Sequence, residues 1–410
     1  MASIAVIGGG VVGCAAAAWL IADGHTVTVF ERAIDERPAS GGNAGLIALP
    51  EITPLARPGI LGSVPGWLLD PLGPLSLRPR DLPRLLPFLM RFVSASRAQH
   101  VEESTSALAA LMGSALVDHQ ELARRAGLSG HMQRTGALHI IDGPAAYQTA
   151  RNEWTERRRH GVEVNEIAPE AARRLVPALA GRFTNAVFVP DYWMVSSPAA
   201  ILEALRLRVA AAGTLSRSDV VTIHRDEREV SVITAEGGDL PFDRVVVTAG
   251  VWSRDLVRDI GLKVCLEAER GYNITFAGNP IGLTLPVVFA QFGIAITPLA
   301  DGLRIGGAVE LASPEAPPNF MRAEAMRRTL RRYLPALPET GGSEWMGRRP
   351  ATPDSLPVIG RDPRDPRIVF AFGHGHLGLT LSAVTARHVA ALVAGQGDET
   401  LSPFGIERFQ

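Results

Sequence analysis

Cysteine is nearly absent from this 410-residue chain: there are only Cys14 and Cys265, far apart and without metal-ligand spacing. That excludes a disulfide scaffold and a thiolate metal centre, and it fits a reducing compartment. Lysine is rarer still. Lys263 is the single one among 41 basic residues, so there is no P-loop GK[ST], and a Schiff-base lysine would have to be Lys263. No uncharged apolar run of ~18 residues occurs, so no bilayer span is expected. Net charge is lacking too: 41 basic against 42 acidic residues leaves −1, which removes any general reason to expect nucleic acid. No secretory leader is visible, and a cytoplasmic location is the expectation. Repeats and low-complexity segments are missing as well. With 46% hydrophobic and 20% charged residues, the chain reads as globular and long enough for two domains.

What is present is concentrated at the start. Residues 4–31 read IAVIGGGVVGCAAAAWLIADGHTVTVFE. A short apolar run, Ile4 to Ile7, predicts a buried parallel strand. Gly8, Gly10 and Gly13 fill G-x-G-x-x-G, an Ala-rich helix follows, and Gly24 stops it. A second strand, Thr26 to Phe30, ends at Glu31. Gly8 allows the tight turn, Gly10 lets the backbone approach a pyrophosphate, and Gly13 lets helix and strand pack closely. The helix N-terminus, with Val11 and Val12 on its first turn, offers N–H groups and a positive dipole end to phosphates. Glu31, followed by Arg32, can accept the hydroxyls of an adenosine ribose. The bland alternative is a glycine-rich turn that binds nothing.

Strand–turn–helix units recur in the middle, FDRVVVTAGVWSRDL at 242–256, and at the end, IVFAF followed by GHGHLG at 368–378. Only a sheet assembled from distant segments uses all three. The expected class is α/β, with a discontinuous Rossmann-like nucleotide domain from 1–56, 197–262 and 340–410. A second domain, 57–196 and 263–339, is expected to hold a mixed sheet flanked by helices. Helices are expected over 82–93, 101–126, 145–160, 169–176, 198–212 and 320–333, and strands over 264–276, 284–297 and 303–310.

Five segments in order carry a family resemblance: the βαβ unit at 4–31, SGGNAGLI at 40–47, VVVTAGVWS at 245–253, GRRPATPDSLPVIG at 347–360 and GHGHLGLTLS at 373–382. Together they resemble the D-amino-acid oxidase superfamily of flavoenzymes, and within it most closely the bacterial D-amino-acid dehydrogenases of the small-subunit type. The resemblance implies FAD rather than NAD. No cysteine falls at a recognised attachment position, so the FAD is expected to be noncovalent.

The same resemblance assigns candidate residues. Ser40, Gly42, Asn43, Ala44 and Gly45 would form a loop under the pyrophosphate and flavin, against the alternative of a plain surface turn. Val220 would pair with adenine through its backbone, and Thr248, Ala249 and Gly250 would form a second contact turn. Gly373, His374, Gly375, His376, Leu377 and Gly378 would aim a helix start at the flavin. His374-x-His376 lacks the partners of a metal site, so no metal is expected. Arg349 would bind the substrate carboxylate with its bidentate fork, with Arg348 beside it structural. Tyr272 would line the pocket, against an equally weighted packed core tyrosine. Arg270 and His374 are further pocket candidates, as are Tyr192 and Trp193 from a segment where the chain departs from the family, while His139 and Trp252 read as core.

The implied reaction is oxidative deamination: a hydride passes from the substrate Cα to flavin N5, and the imino acid hydrolyses to a 2-oxo acid and ammonia. No dedicated general base stands out. D-Proline and hydroxy-D-proline are among the substrates considered. Relatives in the dehydrogenase branch pass electrons to a quinone. Residues 65–93 interleave Trp67, Leu68, Leu69, Leu85, Leu86, Phe88, Leu89, Phe92 and Val93 with Arg78, Arg80, Arg84 and Arg91, which suits either a peripheral membrane contact or a lid helix. Two alternatives stay open: a glycine- or sarcosine-type oxidase releasing hydrogen peroxide, and a flavoprotein subunit of a hetero-oligomer. Oligomeric state is not readable.

Overall fold

The computed structural model describes residues 1–59, 62, 66, 73, 75–128, 130–397 and 399–410. The fold is mixed α/β, with two large sheets. The first has six strands. Ser3–Ile7 pairs in parallel with Thr26–Phe30 and with Arg244–Val247, and the latter pairs in parallel with Asp365–Phe372. Thr214–Ser216 extends one edge, and Val358–Asp362 closes the other antiparallel. Ile4, Ala5 and Val6 are wholly buried, as strands covered on both faces must be. Helix Val11–Ala22 lies against this sheet, with Cys14 to Ala18 wholly buried. Its run of small side chains lets helices Pro198–Ala212 and Gly378–Val393 close over it in one core.

The second sheet has nine strands among the described residues. Its central part runs Ser343–Ala351, Glu267–Phe276, Gly302–Leu311, Ile294–Leu299, all antiparallel. Directly paired residues share a face in an antiparallel ladder, so this register sorts the sheet into two faces. Tyr272, Ile274, Phe276, Ile296 and Ile305 pack behind it with helix Met321–Arg331 and helix Pro169–Leu175. Glu269, Gly271, Asn273, Trp345, Gly347 and Arg349 point to the other side, toward the first sheet's loops.

Three expectations need correction. Strand Ser343–Ala351, assigned from sequence to the nucleotide domain, is the edge strand of the large sheet. Helix Ala98–Ala126, assigned to the second domain, packs Leu108, Leu111, Met112 and Ala115 into the nucleotide-domain core. The strand expected over 284–297 is broken by a helical turn, Ala290–Phe292, because Gly293 adopts φ 62° and reverses the chain. Of the apolar stretch at 65–93, Trp67, Leu68 and Leu69 lie outside the described residues. Its helix, Leu82–Ala95, buries Leu85 and Phe88. Among the described residues no helix is long and apolar enough to cross a membrane.

Candidate cofactor and substrate site

The first βα turn is closed by contacts that only glycine permits. Gly8 sits at φ 110°, and a Cβ there would lie 2.6 Å from the Thr248 carbonyl oxygen. A Cβ on Gly13 would overlap the Gly8 carbonyl. Thr248 Oγ1 donates to the carbonyls of Ile7 (2.9 Å) and Gly8 (3.0 Å), so the middle segment, with Ala249 and Gly250, braces the turn from beside it. Glu31 Oε2 accepts from the Gly9 N–H at 2.8 Å, and Arg206 Nε donates to the Gly9 carbonyl at 3.1 Å. Ser40 Oγ accepts from the Val11 N–H at 3.0 Å: a polar oxygen already sits where the start of the helix attracts one. Val12, half-exposed, shares that first turn. Arg32 stacks on Trp252 at 3.8 Å. Val220 begins strand Val220–Arg225 beside these elements.

The 40–45 loop is fixed from the opposite side by the large sheet. Asn43 Oδ1 accepts from the Gly45 N–H (2.8 Å), which turns the chain, and Arg304 Nη1 donates to the Asn43 carbonyl (2.6 Å). Asn273 Nδ2 donates to the Gly42 carbonyl at 2.9 Å. The Trp345 ring covers Gly42 where a Cβ would stand. Ala44 stays half-exposed between these anchors. The 373–378 turn closes a third side. Gly373 and Gly375 have φ 82° and 53°, and Thr380 Oγ1 accepts from the Ala48 N–H at 3.0 Å, which ties the start of helix Gly378–Val393 to strand Leu46–Ala48.

Arg349 and Glu269 form an ion pair at 2.8 Å on this inner face. The guanidinium lies flat over Gly271, whose Cβ would come 2.5 Å from Arg349 Cζ. His376, half-buried on the 373–378 turn, is surrounded by the charges of Glu269, Glu51, Arg349 and Arg57; burial lowers its pKa below the ordinary imidazole range. The loop, through Asn273, and Arg349 therefore meet on the same face of the large sheet, with the 373–378 turn joined to that sheet at Ala351.

Several candidates fall elsewhere. Tyr272 (1% exposed) and Arg270 (0%) occupy the rear face, because Tyr272 pairs with Met346 and Arg270 with Arg348. Tyr272 donates to Glu310 Oε2 at 2.6 Å and Arg270 pairs with the same carboxylate at 3.3 Å, so both hold the rear core and do not line the pocket. Burial, reinforced by the Glu310 hydrogen bond, pushes the Tyr272 phenol up. The His374 side chain turns inward to Thr385 Oγ1 (3.0 Å), and burial holds its pKa down at about 3. Only its backbone belongs to the turn. Trp193 points into the nucleotide-domain core, away from its neighbour Tyr192.

Tyr192 is buried, but it brings an unforeseen group with it. Its hydroxyl donates to Glu51, and Arg157 grips the same carboxylate with Nη2 at 2.6 Å and Nη1 at 3.2 Å. Burial alone would raise the Glu51 carboxyl, but Arg157 and the Tyr192 hydroxyl outweigh it and hold it at about 2. Glu51, Glu269, Arg157 and Arg304 were all missed from sequence. For Glu269 the period of two pointed away from the site, since the candidates named on its strand, Arg270 and Tyr272, lie on the opposite face. Glu51, in an irregular loop, offered no signal.

The family model described as "FAD dependent oxidoreductase" (DAO) matches residues 3–392. The chain is 34% identical, over 99% of its length and 98% of the relative's, to a D-amino-acid oxidase of Bradyrhizobium diazoefficiens. It is 29% identical, over 99% of its length and the relative's full length, to D-amino acid dehydrogenase 2 of Ralstonia nicotianae. In three dimensions it is similar to glycine oxidase from Geobacillus kaustophilus, with TM-score 0.77, 22% identity and coverage of 100% and 99% of the two chains. The glycine-locked βα turn and the inner face that carries Arg349 thus accompany a family match across nearly the whole length, and the chain belongs to the DAO family of FAD-dependent oxidoreductases.

Proposed function

We propose that this protein oxidises D-amino acids with FAD and passes the electrons to a quinone or another non-oxygen acceptor. The observation that carries the reading is Arg349, spread over Gly271 on the inner face beside the 373–378 turn. A planar fork with a permanent charge in that position suits an α-carboxylate. The residues present fit FAD. Gly8, Gly13 and Thr248 shape a phosphate approach, Glu31 stands at the ribose end, and the 40–45 loop and 373–378 turn flank the space beyond. When bound, FAD supplies a hydride acceptor for the substrate Cα–H. The protein's own part is to orient the substrate through Arg349 and to exclude water with the surrounding loops. Val220 backbone pairing with adenine and noncovalent attachment belong to the same proposal.

A membrane-borne acceptor is supported by helix Leu82–Ala95. Its outer face exposes Leu86 (55%), Met90 (63%) and Val93 (37%), with Arg80, Arg91 and Arg97 exposed nearby. Apolar side chains flanked by arginines suit a peripheral contact with an anionic bilayer surface. A second reading, an oxidase releasing hydrogen peroxide, is favoured by the name of the Bradyrhizobium relative.

The test is anaerobic. D- and L-amino acids, sarcosine and glycine are added one at a time to the FAD-loaded protein, D-proline and hydroxy-D-proline included. Bleaching of the long-wavelength flavin band by D-amino acids alone supports the proposal, and bleaching by none overturns it in favour of a subunit that needs a partner. Oxygen uptake as fast as dye reduction would favour the oxidase.

A further inference from the structure

The Arg349 charge is not free to act alone. Glu269 pairs with it in register across the ladder, and its Oε1 accepts from Arg349 Nη1 at 2.8 Å. The Glu269 side chain is 5% exposed, against 27% for Arg349. Other charges around this space are already matched. Glu51 is gripped by Arg157, Arg57 is paired with Glu153, and Glu267, next on the same face of the strand, takes both Arg84 and Arg254. Among the described residues, Arg349 is the only ion-pair partner of Glu269.

We propose that the Glu269–Arg349 pair is a zwitterion clamp, with Arg349 taking the substrate carboxylate and Glu269 the ammonium beside it. An α-amino acid carries its two charges one carbon apart, so it can lie antiparallel along a pair of opposite charges set side by side. A bare carboxylate meets a different situation. It must share Arg349 with Glu269 and sit against a like charge in a partly desolvated site. The clamp therefore favours the amino-acid substrate over the 2-oxo acid, which has lost the nitrogen on hydrolysis of the imino acid, so that the 2-oxo acid competes weakly for the site. Glu269 is thereby a specificity-determining residue. This inference rests on the proposal that the substrate is an amino acid.

The experiment uses FAD-loaded protein and reads perturbation of the flavin spectrum, which requires binding but no turnover. Glycine and acetate, differing by the ammonium group, are compared on the unaltered chain. Glycine is expected to bind about tenfold more tightly, the worth of one charge-assisted contact. Equal affinities would overturn the clamp. In Glu269→Gln, benzoate binding is expected to strengthen about tenfold and the KM for D-alanine to rise about tenfold, as one like charge and one ammonium partner are lost together. If Glu269 only props Arg349, both ligands weaken in parallel, and that result also overturns the proposal. Should no D-amino acid reduce the flavin at all, the oxidation reading falls, while the glycine–acetate comparison still decides the clamp.

Discussion

Strand Glu267–Phe276 has two faces that do different work. The rear face carries Arg270 and Tyr272, residue types that suggest a binding site. Both are buried in a network around Glu310 on the neighbouring strand Gly302–Leu311, and the Tyr272 ring packs with helix Met321–Arg331. The inner face carries Glu269, Gly271 and Asn273, two of which look bland. Yet Gly271 makes the seat for Arg349, Asn273 anchors the Gly42 carbonyl, and Glu269 sets the charge of the site. A strand has period two, so a step of one residue exchanges pocket for core. Residue type alone does not say which face meets the cofactor.

The contrast can be broken by substitution. Arg349→Met removes the charged fork from the inner face, and kcat/KM for D-amino acids is expected to fall about a thousandfold, at the upper range for losing a charge-assisted bidentate contact. Steady-state kinetics with a dye acceptor checks this. Gly271→Ala inserts a methyl 2.5 Å from Arg349 Cζ and must displace the guanidinium. The expected loss in kcat/KM is about a hundredfold, the usual consequence of a ~1 Å misplacement, with bound FAD unchanged. Across the strand, Tyr272→Phe removes the hydrogen bond to Glu310. It should lower unfolding free energy by about 1–2 kcal/mol in urea titration while leaving kcat/KM within about threefold.

The smallest effect concerns pH. Burial holds both His374 and His139 at about 3 in the folded chain, while unfolded histidine titrates at about 6.5. A depressed folded pKa means that the unfolded state binds the proton first. Stability from each neutral ring is therefore complete above about pH 6.5 and is lost as pH falls toward 3, by at most about 1.4 kcal/mol per pH unit. Urea midpoints between pH 7.5 and 4.5 should fall less steeply in His374→Gln than in the parent chain. An unchanged slope would place the His374 ring in solvent, not in the core.

The legible part of the molecule is the part written locally. Gly8, Gly13 and Glu31 lie within one βαβ unit, where Gly8 turns at φ 110°, Gly13 packs on the Gly8 carbonyl and Glu31 accepts from the Gly9 N–H, so the spacing alone reveals them. The glycines of the 40–45 loop and the 373–378 turn are readable for a similar reason, since φ of 79° at Gly45 and 82° at Gly373 suits few other residues. Arg349 came through resemblance, and the structure seats it on the inner face. Non-local choices stayed hidden. The face of Tyr272 is decided by its partner Met346, far along the chain, and not by its neighbours. Helix Ala98–Ala126 joins the nucleotide-domain core because helix Gly378–Val393 presents an apolar side to it. Glu51 becomes part of the site only when Arg157 and Tyr192 fold against it.

The most direct test sets the two faces of the strand side by side in one anaerobic stopped-flow series. Flavin reduction by a D-amino acid that reduces the parent protein is timed in Tyr272→Phe and in Arg349→Met, both loaded with FAD. The expected result is a parent-like reduction rate in Tyr272→Phe and almost no reduction in Arg349→Met at the same substrate concentration. Loss of reduction in Tyr272→Phe, with Arg349→Met still reduced normally, would contradict the assignment of chemistry to the inner face.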